Sequence, residues 1–313
     1  MGYIPRKAAM KKVLADIWKE KALYLIMIPG LLYFIVFKYV PMYGITLAFR
    51  DYNIFLGLSA SPWVGFDYFA QLFTQPAFQR ALYNNIVISL QKLIFGFPTP
   101  IIMSLLINEI SKKWFKKGVQ TAVILPNFIS WVVVYGLLYA MLSPNSGAIR
   151  QFAFALGFTG ELPNLLATPA KFQSVILWSY IWKSAGMGTV IYLAALSSID
   201  VQLYEAAVID GAGKWKQLLH VTLPCIRSTI VVLLLFRVGE VMYAGFDQIF
   251  AMTNPVVNSV ADIIDTYVYR VGLQNQQFSL ATAAGLFQSA IGLFLVLITN
   301  AIAKKLDPES GIM

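Results

Sequence analysis

YEAAVIDGAGKWKQLLHVTLPCI, residues 204–226, is the most polar long stretch in an otherwise strongly apolar chain. Its GAGK invites a phosphate-loop reading, which the spacing rejects. That loop needs G-x-x-x-x-G-K-[ST], so that the lysine reaches the phosphates and the hydroxyl holds magnesium. With Gly213-Lys214 as the GK pair, the upstream glycine position is Val208 and the hydroxyl position is Trp215. No strand-like run precedes it. The stretch reads instead as two short helices. LYEAAVID, with its alanines on the inner side, stops at Gly211 and Gly213, residues that suit a helix end and turn. KWKQLLHVTL is amphipathic and is closed by Pro224. A short exposed helix of this kind, with small Ala206 and Ala207 and an exposed Glu205, suits docking into a partner's groove.

The surroundings place this hairpin on a membrane. The 313 residues are 58% hydrophobic and only 12% charged, against about 25% charged in a soluble domain. So few charges leave much of the surface to be covered by lipid. Crossing about 30 Å of hydrocarbon takes roughly 20 apolar residues. Six such runs occur, at 24–48, 82–107, 119–142, 173–196, 226–250 and 281–303. The expected fold is therefore all-α, a polytopic membrane protein of six transmembrane helices. Residues 1–23 form a basic leader with no small-residue cleavage site, so the first run reads as a retained helix. The coupling-loop region is 200–225, and a short tail covers 304–313.

The net charge of +9 is distributed in the manner of membrane topology, not of nucleic-acid binding. With the N-terminus inside, 1–23, 108–118, 197–227 and 304–313 hold fifteen Lys and Arg. The opposite loops hold only Arg50, Arg80, Arg150, Lys171 and Arg270. The bias predicts a multi-pass protein of the cell membrane with both termini cytoplasmic, and it puts residues 204–226 on the cytoplasmic side. No basic, aromatic-interleaved face exists outside the spans, so no nucleic-acid partner is expected. One cysteine (Cys225) and one histidine (His220) leave no cysteine-based or multi-histidine metal site. The outer loops 50–73 and 253–275 read as connectors. The first has room for an interfacial helix at 66–73, and the second has an amphipathic core, VADIIDTYVYRVGL, suited to lying on the outer surface. Neither is large enough to capture a solute alone. GFPTP (96–100) falls mid-span and predicts a kink.

Lys92, Lys183, Arg237 and Glu240 fall about 9–15 residues into their runs, close to the midplane at 1.5 Å per residue. Each would cost about 2.5–3.5 kcal/mol facing lipid. They should therefore face a polar cavity or one another, and Arg237 and Glu240, three apart, can pair. Lys38 and Asp247 lie near span ends and can reach the interface. Trp178, Tyr180, Trp182, Tyr192 and Tyr243 are compatible with stacking on sugar rings, although aromatics on membrane helices also serve simply as packing.

The spacing Glu205-Ala206-Ala207, three residues, Gly211, nine residues, Val221, one residue, Leu223-Pro224 resembles the EAA loop of membrane subunits of binding-protein-dependent ABC importers. Val221 stands where isoleucine is usual. FKYVPMYGITLAFRDYN, SPWVGFDYF, LLINEI, LPNFISWVVV, YLAALSSID, GFDQIF and DIIDTYVYR extend the likeness to the LplB-like carbohydrate permeases, which share a core with MalF. Arg227 and Met187 depart from the proline and tryptophan common there. The resemblance implies a type I ABC importer permease (MetI/MalF-like) fold and import of a carbohydrate, an oligosaccharide. It implies an EAA loop made of Tyr204, Glu205, Ala206, Ala207, Asp210, Gly211, Leu223 and Pro224 that docks on an ATPase. The implied partners are a second related permease, two cytoplasmic ABC ATPase subunits and an extracytoplasmic binding lipoprotein. ATP and magnesium would sit on the ATPases, with no cofactor and no ATPase site on this chain. A solute path through the fourth and fifth spans would be bordered by Tyr180, Lys183, Ser184, Met187, Arg237 and Glu240, with Lys92 on the second. A permease for peptide or polyol is the alternative. A secondary transporter would leave the EAA spacing unexplained, and an intramembrane hydrolase lacks a serine beside a midplane base.

Overall fold

The computed structural model describes residues 18–306; most of the basic leader (1–17) and most of the tail (307–313) lie outside the described residues. No β-strand occurs among the described residues, only a bridge between Arg50 and Trp63. Three helices are long and apolar enough to cross a membrane unaided: Lys21–Phe49, Pro76–Asn108 and Phe278–Lys305. Three further crossings exist if each of three bent helix pairs is one span. A backbone in lipid must satisfy its own polar groups, which is why helices carry every crossing.

The first helix is exposed along nearly its whole length. The second, third, fourth, fifth and sixth pack together, and the long helix Pro169–Ser197 is central among them. It approaches its neighbours through glycine. A Cβ on Gly186 would stand 2.0 Å from the Val123 carbonyl oxygen, and one on Gly188 would stand 2.9 Å from Pro100. A Gly186-Met187-Gly188 segment thus lets two other spans touch the fourth at backbone range.

Several expected straight spans are interrupted. The run 119–142 is two helices, Lys113–Phe128 and Trp131–Leu142, set at 105°. Ile129 and Ser130 are extended at the break, and the Ser130 hydroxyl caps the second piece at Val133 N. The run 226–250 is also divided. Its helix Arg227–Gly239 ends in a turn, Gly245 takes φ +98°, and a short helix, Phe246–Met252, follows. That φ is open to glycine at little steric cost. By contrast, the prolines of GFPTP do not bend the second span sharply. A widened π-turn, Lys92–Gly96, precedes them, and the Thr99 hydroxyl bonds the Phe95 carbonyl at 2.7 Å. The helix continues through both prolines to Asn108.

At one end of the bundle, the loop after the first span carries the helix Asp67–Thr74. The segment 258–274 is not a surface helix. It is a single turn, Asn258–Ala261, followed by a helix over 264–274 whose second half is a widened π-helix, and Ile263, Ile264 and Tyr267 are fully buried among the spans. Its four-residue apolar spacing serves packing, because it sits between the second and sixth helices.

Gly186→Val should separate the third and fourth spans, since overpacking typically costs about 1–3 kcal/mol. Gly285, where an added Cβ meets nothing within 4 Å, provides the control. Thermal unfolding of the detergent-solubilised protein should fall by several degrees for Gly186→Val and hardly at all for Gly285→Ala.

Candidate functional site: a charged cleft and a two-helix hairpin

Two regions hold the chemistry, at different depths. The first is a cleft of about 400 Å³ between the second, fourth and fifth spans. Its wall includes Lys92, Trp131, Tyr180, Lys183, Ser184, Arg237, Glu240 and Tyr243. A second cavity of about 220 Å³ shares Tyr180, Ser184, Arg237 and Glu240 with it and extends toward Pro100, Gly188 and Tyr192.

Tyr180 is the hub. Two cations approach its ring, the Lys92 ammonium 4.7 Å and the Arg237 guanidinium 5.0 Å from the centroid. Arg237 also donates to the Tyr180 hydroxyl and, at 2.9 Å, to Glu240. An aromatic face attracts cations through its quadrupole, and more strongly where water is scarce. Gly96 makes room for this ring, since a Cβ there would meet Tyr180 Cε1 at 2.9 Å.

Lys92 is buried and has no carboxylate partner within ion-pair distance among the described residues. Its ammonium donates to the Ala244 carbonyl at 2.7 Å and to Gln248 Oε1 at 2.5 Å. Gln248, itself buried, spends its amide on the Ile176 carbonyl (2.7 Å) and the Ser179 hydroxyl (3.0 Å). Lys183 donates to the Asn127 carbonyl at 3.0 Å, and its ammonium lies 5.2 Å from the Trp131 ring centre. Asn127 sits just before the break in the third span, so the broken helix supplies an acceptor to the cleft.

Of the residues expected on the path, Tyr180, Lys183, Ser184, Arg237, Glu240 and Lys92 meet at this cleft, whereas Met187 lines neither cavity. The aromatics divide. Tyr243 joins the cleft and Tyr192 borders the second cavity. Trp178 and Trp182 line a separate apolar crevice of about 570 Å³ with Leu138, Leu142 and Lys171. Gln248 and Trp131 were missed from sequence. A glutamine two turns from charged residues on a predicted span was the available signal, and it was overlooked among the apolar residues.

The second region is the hairpin. Asp200 caps the helix Val201–Ile209 by accepting from Gln202 N at 2.9 Å. The helix ends in a left-handed Gly211 (φ +72°). Ala212 N–H bonds the Ala207 carbonyl at 2.8 Å and Gly211 N–H bonds that of Val208 at 3.0 Å, the Schellman pattern that satisfies terminal carbonyls. The chain returns as a helix over 214–225, through Pro224 rather than stopping before it; the break comes at Ile226. Tyr204 Oη lies 2.9 Å from Thr222 Oγ1, and Gln217 donates to the Ala212 carbonyl at 2.8 Å, so both helices are tied. Ala206 is exposed rather than inward, as are Glu205, Val208 and Ile209, the last 86% accessible. Asp210 and Pro224 are exposed, and Leu223 is half-buried. Lys214 is not a free charge. It pairs with Glu109 at 3.0 Å, where the second span ends.

Six membrane crossings around an internal charged cleft, with a two-helix hairpin at one end, define a transport permease subunit. Residues 96–309 match the family described as "Binding-protein-dependent transport system inner membrane component", and the chain belongs to that family. Protein LplB of Bacillus subtilis (strain 168) is 45% identical over 95% of this chain and 92% of its own length. The polygalacturonan/rhamnogalacturonan transport system permease protein YteP of the same organism is 44% identical over 97% and 94%. A crystal structure of a bacterial ABC transporter involved in the import of the acidic polysaccharide alginate superimposes with TM-score 0.87, at 39% identity, over 95% of this chain and 99% of that one.

Gln248→Leu removes a hydrogen-bond acceptor from a buried ammonium, a loss of about 1.5–3 kcal/mol for a bond to a charged group. Chemical unfolding in detergent should register that loss. Lys92→Met in the same chain should restore part of it, because both ends of the interaction are then apolar.

Proposed function

We propose that this chain is one permease subunit of an ATP-driven, binding-protein-dependent importer of oligosaccharides, and that the solutes are acidic. The observation that carries the reading is the cleft. Three cations, Lys92, Lys183 and Arg237, face it with a single carboxylate, Glu240, beside two aromatic rings, Tyr180 and Tyr243. Rings of this kind stack on sugar faces, and an excess of positive charge in a low-dielectric wall attracts carboxylates. The names of one relative and one structural neighbour point the same way, toward polygalacturonan and alginate. Lys183, Arg237, Glu240, Ser184 and Tyr180 contact the solute, while Lys92, held by the Ala244 carbonyl and Gln248, contributes field. A peptide or polyol importer would use the same hairpin but has no need of this charge excess.

On this reading, Glu205, Ala206, Ala207 and Gly211, flanked by Tyr204, Asp210, Leu223 and Pro224, dock on a cytoplasmic ATPase, with the exposed apolar residues beside them. ATP and magnesium bind the two ATPase subunits, and this chain hydrolyses nothing. A second, related permease closes the other half of the path. An extracytoplasmic binding protein delivers the solute at the end opposite the hairpin; a periplasmic protein holding an alginate pentasaccharide accompanies one structural neighbour. The hairpin, both termini and the Lys- and Arg-rich segments are cytoplasmic. ATP binding favours one arrangement of the spans over the other because it binds one of them more tightly.

Reconstituting the chain with its permease partner, ATPase and binding protein tests the reading through solute-stimulated ATP hydrolysis. Acidic oligosaccharides should stimulate and neutral ones of equal length should not. Stimulation by peptide alone would overturn it. Arg237→Ala and Lys183→Ala should each lower uptake by an order of magnitude or so, comparable to losing a charge-assisted hydrogen bond of about 1.5–3 kcal/mol; unchanged uptake removes those residues from the path. Glu205→Lys should insert normally yet abolish most of the stimulation.

A further inference from the structure

The break in the fifth span leaves carbonyl groups without helical donors, and three buried side chains from other spans meet them. The Met242 carbonyl accepts from Asn85 Nδ2 at 3.1 Å and from Gln288 Nε2 at 2.6 Å. The Ala244 carbonyl accepts from Lys92. Asn85 and Lys92 are on the second span and Gln288 is on the sixth. All three are more than nine-tenths buried. The turn they hold carries Glu240 and Tyr243 into the cleft.

Gln288 has a second bond. The same amide nitrogen donates to Asp265 Oδ1 at 3.0 Å. Asp265 belongs to the segment that closes the end opposite the hairpin, and that segment is rigidly tied elsewhere. Arg270 grips Asp262 with two bonds, of 3.0 and 2.6 Å. Asn84, beside Asn85, donates to the Ser259 and Asp262 carbonyls at 3.1 and 3.0 Å. One NH2 group therefore bridges the outer segment to the unwound turn. No solute contact explains it, because Gln288 lines neither cavity.

We propose that Gln288 and Asp265 are positioning residues that couple the 258–270 segment, at the end where a binding protein delivers solute, to the turn that presents Glu240 and Tyr243. The inference rests on the importer reading above. A load on the outer segment moves Asp265, and the shared amide then shifts the Met242 carbonyl. Both hydrogens of that amide are already committed, so neither partner moves without the other. A buried amide that loses one acceptor leaves a polar group unsatisfied at low dielectric, which is why the link is stiff.

The test compares ATP hydrolysis by the reconstituted complex with and without solute-loaded binding protein. Gln288→Met keeps the volume and removes both donors. It should leave hydrolysis without binding protein near the wild-type rate and lower the stimulation about tenfold, within the 5–150-fold range of ordinary coupling energies. Asp265→Asn retains an acceptor oxygen and should keep the stimulation, whereas Asp265→Ala should lose it. Gln288→Met with Asp265→Ala should lose no more than either alone. Equal loss of both rates, or unaltered stimulation in Gln288→Met, overturns the proposal. If Gln288→Met yields no folded complex, Asp265→Ala decides by the same readout, since it leaves the Met242 bond in place. A wild-type complex that no loaded binding protein stimulates overturns the importer reading itself, and this inference with it.

Discussion

The ammonium of Lys92 sets the terms for the rest of the interior. A lysine near the middle of a span costs about 2.5–3.5 kcal/mol if it faces lipid, and among the described residues no carboxylate neutralises it at ion-pair distance. What holds it are dipoles: a backbone carbonyl freed by the break in the fifth span, an amide oxygen and an aromatic face. Each of those groups is fixed in turn. Gln248 is oriented by Ile176 and Ser179, Ala244 by the turn at Gly245, and Tyr180 by Arg237. A continuous helix through 226–250 would have used the Ala244 carbonyl internally. The charge and the broken helix thus require one another.

The same logic places the other breaks. Interrupted helices within a membrane are tolerated where freed groups are buried in protein or line a polar cavity. The break in the third span supplies the Asn127 carbonyl to Lys183 and turns Trp131 into the cleft. The break in the fifth supplies two carbonyls to three donors. At Pro98 and at Pro100, which borders the second cavity, a π-turn precedes the prolines and the span continues without a break. Proline content alone therefore does not locate a hinge in this chain, and the position of polar partners does.

The sequence made the helical class, the number of apolar runs and the hairpin legible, because these depend on local composition and on spacing within about twenty residues. It also picked out Lys92, Lys183, Arg237 and Glu240, since a midplane charge is conspicuous in an apolar run. The breaks were not legible. Apolar residues continue on both sides of Ser130 and of Gly239, so hydropathy reads one run through each break and cannot see the 105° turn at the first. The core of the outer loop, 260–273, reads as a surface helix but packs among the spans for a related reason. Helical spacing of Ile263, Ile264 and Tyr267 fits a lipid face and a protein core equally, and only the second and sixth spans decide between them. Gln248, Asn85 and Gln288 escaped because a lone amide carries no charge penalty to flag it. Its value lies in carbonyls that become available only once a distant helix has broken.

The two functional regions are joined by covalent structure as well as by packing. Tyr180, Lys183 and Ser184 stand on the uninterrupted helix Pro169–Ser197, and the hairpin helix begins at Val201, only three residues after it ends. The hairpin's return helix leads through Ile226 directly into Arg227–Gly239, whose far end carries Arg237 and then Glu240. Ser184 is thirteen residues from the end of its helix and Arg237 ten from the start of its own, distances of about 20 and 15 Å at 1.5 Å per residue. Both walls of the cleft are thus rigid rods rooted in one hairpin. Tyr204–Thr222 and Gln217–Ala212 hold that hairpin together as a unit, and Lys214–Glu109 ties it, loosely as an exposed pair, to the second span. A force that moves one arm of the hairpin against the other must therefore change the separation of Tyr180 from Arg237 or break a bond between their side chains. An arginine shared between a tyrosine hydroxyl, its ring and a carboxylate on the next turn can make that exchange in small steps, keeping one partner as it releases another.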